Sequence, residues 1–185
     1  MKNRIRKEII RKRDALDLKE KTSFDNIIKE KFKETEAYKK SRNIFIYIGF
    51  GSEIETAKYI EEFLKEGKKV FVPRINNAIK TMEAVEITSL KELERNNFGI
   101  LEPTKDKEAI NKKELQLIIM PGVAFDMKRG RIGYGGGYYD KYMENIDSSI
   151  PKIALAYELQ IIDRVPCQDH DILPDSIITE KRCIK

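Results

Sequence analysis

Between residues 120 and 143 the chain reads MPGVAFDMKRGRIGYGGGYYDKYM, with Gly133, Gly135, Gly136 and Gly137 inside five positions, Arg131 just before them and Asp140 just after. Glycines crowded in this way let several backbone N–H groups converge on an anion without side-chain obstruction. The start of a following helix would add its positive end, and Arg131 can grip phosphate through two parallel hydrogen bonds. The spacing is neither a Walker A loop nor GxGxxG, so those two motif readings fail. Phosphate binding is the chemistry this pattern points to; a ligand-free turn is the plainer alternative. Asp140 in the first turn of a helix complements the helix dipole. Beside bound phosphates, however, a carboxylate calls for a cation between, and magnesium held by one or two carboxylates plus phosphate oxygens is the natural choice. A second carboxylate could come from Asp171 or Asp169 in the polar turn PCQDHDILPD, residues 166–175.

Two further groups of residues could join such a site. On a helix near the N-terminus, Lys2, Arg6 and Arg13 fall within roughly 40° of one another, beside the apolar stripe Ile5, Ile9 and Leu16. Cations at that border either rim a polyanion site or lay their stems over apolar surface; spacing leaves both readings open. Glu53 follows Gly51 at the end of a strand, where it is either a helix-start acid or a ligand contact. Tyr134, set between glycines, has little core to pack against and could stack on a flat ring.

The elements that must hold these residues alternate between strand and helix. A helix is expected over 2–16 and further helical turns over 20–40, then the strand NIFIYIG at 43–49. SEIETAKYIEEFLKEG, residues 52–67, carries Ser52 and Glu55 as a capping-box pair and ends at Gly67. KVFVP at 69–73 and TMEAVEI at 81–87 read as strands, and SLKELERN as a short helix. LQLIIMP at 115–121 is a strand buried on both faces. A helix from about Tyr138 to Asn145, KIALAY at 152–157 and a last strand SIIT at 176–179 complete the pattern. Alternation of this kind predicts one α/β domain over 1–185 with a largely parallel sheet and right-handed crossovers. Ligands in such sheets sit beyond the carboxyl ends of the strands, where both glycine segments fall.

Composition narrows the partners. Charged residues are 36% of the 185, hydrophobic residues 41%, and the net charge is +5. Lys and Arg are interleaved with Glu and Asp rather than gathered with aromatics, which argues against a nucleic-acid partner. No run approaches the length of a membrane span, and the basic N-terminal stretch lacks the apolar core of a secretory signal. Two cysteines and one histidine offer neither a disulfide framework nor a zinc cluster. A cytoplasmic protein acting on small anionic molecules is expected.

PGVAFDMKRGRIGYGGGYYDK at 121–141 follows the signature Pro-Gly-x-x-Phe-Asp … Arg-φ-Gly-x-Gly-x-Gly-Tyr-Tyr-Asp. Around it stand Lys2 and Arg6 as Lys-x-x-x-Arg, EIET at 53–56, FVPR at 71–74, GILEP at 99–103, Gln160, VPCQDHD at 165–171 and IITE at 177–180. In this order they resemble the 5-formyltetrahydrofolate cyclo-ligase family, nearly end to end. The resemblance implies a three-layer α/β/α sandwich and an ATP- and magnesium-dependent enzyme forming 5,10-methenyltetrahydrofolate, ADP and phosphate. It places ATP against the stretch Lys2, Asn3, Arg4, Ile5, Arg6 and against Arg131, Ile132, Gly133, Tyr134, Gly135, Gly136, Gly137, Tyr138 and Tyr139. It places the folate against Ile48, Glu53, Tyr134, Tyr138 and the glycines 135–137. Asp140 and Asp171 would hold the metal, and Arg131, Asp140 and Glu53 would carry the chemistry. Gly136 stands where some members carry Lys, and Lys141 where many carry Arg, so Arg131 and the backbone must neutralise more of the phosphate charge. The resemblance names no oligomer, and a monomer is expected. Another ATP-dependent ligase or kinase on this scaffold, or a non-catalytic nucleotide- or folate-binding protein, are the rival readings.

Overall fold

The structure is a computed structural model that describes residues 1–96, 99–168 and 171–185. The helices are α1 (Lys2–Asp14), α2 (Leu18–Lys33), α3 (Glu36–Lys40), α4 (Thr56–Lys65) and α5 (Tyr138–Met143). The first strands are β1 (Asn43–Ile46), β2 (Lys69–Asn76), β3 (Thr81–Ile87), β4 (Leu93–Arg95) and β5 (Leu101–Pro103). They are followed by β6 (Leu117–Met120), β7 (Ala124–Phe125), β8 (Arg131–Ile132), β9 (Lys152–Leu155), β10 (Ser176–Ile178) and β11 (Cys183–Ile184).

Seven strands form one sheet in the order β11-β10-β9-β6-β1-β2-β3. From β10 to β2 every pair is parallel; β3 and β11 close the two edges antiparallel. Alternate side chains point to opposite faces of a strand, so each central strand must be apolar on both sides. Ile44, Ile46, Val70, Val72, Leu117 and Ile119 pack under α2, α3 and α4 with Phe32, Tyr38, Tyr59 and Phe63. Phe45, Phe71, Ile118 and Met120 face the other way, onto Tyr142 and Met143 of α5. Helices thus cover both faces, the three-layer α/β arrangement. A one-residue slip of β1 would exchange those two sets and bring every pair into the wrong layer. On α1, Ile9 packs with Val123, Ala124, Ile132 and Val165, which fastens that helix to the β7–β8 hairpin.

Several boundaries differ from those read in the sequence. Ser52 does not cap α4: the helix begins at Thr56, and Ser52 Oγ instead accepts from Arg13 Nε at 3.0 Å and donates to the Asp14 carboxylate. The Thr56 hydroxyl ties the preceding turn, accepting from Gly49 N at 2.8 Å and donating to Tyr47 O at 2.7 Å. SLKELERN contains only a 3-10 turn over Leu90–Glu92 and then becomes β4, which pairs with β5. SIIT is not the last strand, because β11 returns beside it. Strands of two or three residues carry no readable period, so these pairings had no local signal.

Candidate active site

Two cavities adjoin at the carboxyl ends of the parallel strands. The more apolar, of about 260 Å³, is walled by Tyr47, Ile48 and Phe50 after β1, by Pro73 and Ile75 of β2, by Ile100 and Leu101, and by Tyr134, Tyr138 and Tyr139. Glu53 lies in its wall. The second, of about 700 Å³, is polar: Lys2, Arg6, Arg131 and Lys141 face Asp140, Glu144 and Asp171 across Gly133, Gly135 and Gly137. Arg131, Gly133 and Asp140 belong to both. A larger hollow of about 890 Å³ beside them contains Arg74, but that guanidinium is already taken by Glu83 and by the carbonyls of Thr104 and Lys107.

Local folding explains how Arg131 arrives at the junction. Buried Asp126 accepts from the backbone N–H groups of Lys128, Gly130 and Val165, which closes the turn between β7 and β8 with Arg129 at φ 65°. Gln160 donates to the carbonyls of Gly122 and Val123, both at 3.0 Å, and braces the strand entering that hairpin. Arg131 then points inward, 4% exposed at its side chain, and donates to Asp140 Oδ1 at 2.5 Å and to Pro121 O at 3.3 Å. Asp140 Oδ1 also accepts from Ile172 N at 3.2 Å, so the residue after Asp171 is fixed to the same carboxylate. Lys2 Nζ meets Asp171 Oδ2 at 2.9 Å, which joins the two termini of the chain across the polar basin.

The glycine run needs its glycines at particular positions. Gly137 is the N-cap of α5 at φ 68°, and Gly135 holds φ 104° with Arg6 against it. A Cβ at Gly135 would lie 3.4 Å from Arg6 Cζ in a conformation side chains rarely adopt. If the basin holds phosphate, Gly135→Ala is expected to weaken the binding of a nucleoside triphosphate there by about tenfold. Titration calorimetry with ATP as the probe checks this, and an unmoved affinity would return the loop to a simple turn.

Glu53 is buried at 6% exposure, accepting from Tyr134 Oη at 2.5 Å and from Phe50 N at 3.1 Å. Burial pushes its carboxyl above the ordinary 4.5, against the pull of Tyr134, the Phe50 N–H and Arg13. A raised native value means the folded state binds more protons than the unfolded one, so this group costs stability as pH rises beyond 4.5. The melting temperature of Glu53→Gln relative to the parent should consequently climb between pH 4.5 and neutrality. A difference that is flat or falls over that range would contradict the burial argument.

Most residues expected at the site meet there, but not all. Lys2, Arg6, Arg131, Ile132, Gly133, Gly135, Gly137, Asp140 and Asp171 surround the polar basin; Ile48, Glu53, Tyr134, Gly136, Tyr138 and Tyr139 line the cleft. Asn3 and Arg4 are exposed and absent from either lining, and Ile5 packs into the apolar cluster beneath α1. Asn3 reaches the site only indirectly, by accepting from Arg6. Asp169 lies outside the described residues. Sequence reasoning missed the structural part played by Asp126, although an Asp ahead of a Lys-Arg-Gly turn is a usable signal.

The fold and its paired cavities define an α/β enzyme with its cleft at the carboxyl ends of a parallel sheet. The model of the 5-formyltetrahydrofolate cyclo-ligase family matches residues 1–180, and the chain belongs to that family. It is 30% identical to a 5-formyltetrahydrofolate cyclo-ligase of Mus musculus, over 97% of this chain and 93% of the relative. The Escherichia coli K12 protein of the same name is 26% identical, over 77% of this chain and 80% of its own. The solved structure of Aquifex aeolicus 5,10-methenyltetrahydrofolate synthetase superposes with a TM-score of 0.86 at 30% identity, covering 98% of this chain and 91% of that one.

Proposed function

We infer that this enzyme converts 5-formyltetrahydrofolate to 5,10-methenyltetrahydrofolate, with ATP as co-substrate and ADP and phosphate as by-products. One observation carries the assignment of sites: Arg131 and Asp140 belong at once to a cationic, glycine-lined basin and to an aromatic cleft. A phosphoryl group leaving the first can reach an acceptor in the second beside the same two side chains.

The N5-formyl oxygen is a weak nucleophile and a poor leaving group. Its attack on the γ-phosphorus forms an O–P bond and breaks the bond to ADP, giving an imidate-like phosphate. N10 then attacks the activated carbon, the C–O bond breaks, and phosphate departs with the former formyl oxygen as N10 loses its proton. The protein contributes position and charge stabilisation. Arg131, Arg6 and Lys2 with the glycine N–H groups neutralise the phosphates, and Glu53 with Tyr134 and Tyr138 orients the folate. No nucleophilic side chain is required.

Magnesium suits the polar basin. Its potential donors are carboxylate oxygens, which a hard cation prefers, and both described hydrogen bonds to Asp140 fall on Oδ1, leaving Oδ2 able to face an ion. Asp140 and Asp171 would hold it, and when bound it supplies charge neutralisation on the phosphates. We further place the enzyme in the cytoplasm, in keeping with two exposed unpaired cysteines, Cys167 and Cys183. No helix of the described residues is long and apolar enough to cross a membrane. The working unit is the whole chain, 1–185, as a monomer acting on two small molecules without nucleic acid; Lys2 and Asp171 enter one basin from opposite ends of it.

Turnover of 5-formyltetrahydrofolate against a panel of other amides and carboxylates tests the reading. Methenyl product should form only with ATP and magnesium present; preference for another acceptor would replace the folate assignment.

A further inference from the structure

Arg13 is a buried cation that the reaction leaves without a task. It sits on the inner face of α1 at 4% exposure, and its two hydrogen bonds run to hydroxyls rather than to a carboxylate: Nε to Ser52 Oγ at 3.0 Å and Nη2 to Tyr134 Oη at 2.9 Å. A guanidinium taken out of water needs a compensating charge. Two carboxylates lie one hydroxyl away: Ser52 Oγ donates to Asp14, and Tyr134 Oη, in the wall of the cleft, donates in turn to Glu53 Oε1 at 2.5 Å.

The chain of bonds has a fixed direction. Guanidinium can only donate, so Tyr134 Oη must spend a lone pair on Arg13 and its proton on Glu53. Glu53 is thereby kept as an acceptor at one oxygen, while its other oxygen takes the Phe50 N–H at 3.1 Å. Tyr134 needs such a restraint. The residue is 39% exposed, it stands immediately before Gly135 at φ 104°, and among the described residues its one close aromatic neighbour is Phe50 at 5.5 Å between centroids. Seven residues earlier on the same helix, Arg6 Nε donates to Gly133 O at 2.7 Å. The helix therefore grips the glycine loop on the residue before Tyr134 and on Tyr134 itself.

We propose that Arg13 is a positioning residue for the folate: through Tyr134 it sets the orientation of Glu53 in the cleft, and so governs affinity for the folate while leaving ATP to Lys2, Arg6 and Arg131. The proposal rests on the assignment of the cleft to folate. It also divides α1 by function, with the first turns serving the phosphate basin and the last turn serving the folate.

The test is a double-mutant cycle on the full chain with Arg13→Met, Tyr134→Phe and the pair, read by steady-state kinetics, by equilibrium binding of 5-formyltetrahydrofolate and by thermal melting. Arg13→Met should raise the folate KM and Kd about tenfold and leave the ATP KM within about twofold. Tyr134→Phe should act similarly, and the double variant should be no worse than the worse single, because both break one chain of bonds. Arg13→Lys keeps the charge but not the planar fork that reaches Ser52 and Tyr134 together, so it should recover only part of the affinity. If Arg13→Met folds poorly, the cycle with Arg13→Lys carries the same comparison. Independent, multiplying effects of the two singles, or a lowered melting temperature with folate affinity unmoved, would overturn the proposal. A parent that binds folate without turning it over would overturn the reaction instead, and the binding cycle would still decide the role of Arg13.

Discussion

Replacing Arg131 with methionine is expected to lower kcat/KM for methenyl formation by about a thousandfold, the scale of losing a preorganised cation at a phosphoryl-transfer centre. Among the described residues Arg131 is the one cation that lines both cavities, so none of those neighbours can take its place at the junction. Its removal also leaves the Pro121 carbonyl without its donor and Asp140 Oδ1 with Ile172 N alone, which should cost about 1–3 kcal/mol of stability. Arg131→Lys separates the two effects. Lysine restores a charge but cannot donate to Asp140 and Pro121 at once, so stability should recover further than rate. ADP release and methenyl formation should fall together in both variants. A methionine variant that retains near-parental kcat would remove Arg131 from the chemistry and leave it as a strut for Asp140.

The second large effect is expected at Asp140. Asp140→Asn keeps an oxygen for Arg131 and Ile172 N but loses the negative charge that magnesium would bind. Turnover should fall by about a hundredfold or more, at least matching the penalty known for disturbing a metal's supporting residues. The fold should be retained at a cost of about 1–3 kcal/mol, because the amide oxygen can still accept both hydrogen bonds while buried Arg131 loses its counter-charge. Two readouts distinguish loss of the metal from general damage. The variant should need more magnesium to saturate, and magnesium with ADP should protect it less against heating. Parental activity at ordinary magnesium would exclude Asp140 as the ligand.

The glycine segment marked the polar basin in the sequence, because clustered glycines, one Arg and one Asp fit an anion by type and spacing, and these residues do line one hollow. The central strands were equally plain: β6 is an unbroken apolar run, and β1 and β9 are apolar after their first residues, because both faces of each are covered. What spacing cannot carry is distance in space between residues far apart in the chain. Lys2 and Asp171 form an ion pair 169 positions apart, and no local pattern announces it. Ser52 misled for the same reason: its type suits a helix cap, but Arg13 and Asp14 on another helix claim the hydroxyl. Arg13 itself could be placed only at the border of an apolar stripe. The choice between covering apolar surface and serving a site was made by Tyr134, 121 positions further on. The scattered pieces FVPR and GILEP likewise acquire a purpose only in three dimensions, where Pro73, Ile75, Ile100 and Leu101 wall one side of the cleft.

The central claim is that a phosphoryl group passes from the glycine-lined basin to the formyl oxygen held in the adjoining cleft, beside Arg131 and Asp140. Oxygen-18 placed in the formyl group of 5-formyltetrahydrofolate tests it most directly, with the released phosphate analysed by mass spectrometry after a single turnover. The transfer predicts that the label leaves in phosphate, in an amount equal to the methenyl product. Unlabelled phosphate beside a full yield of methenyl product, with the label recovered in water, would contradict it.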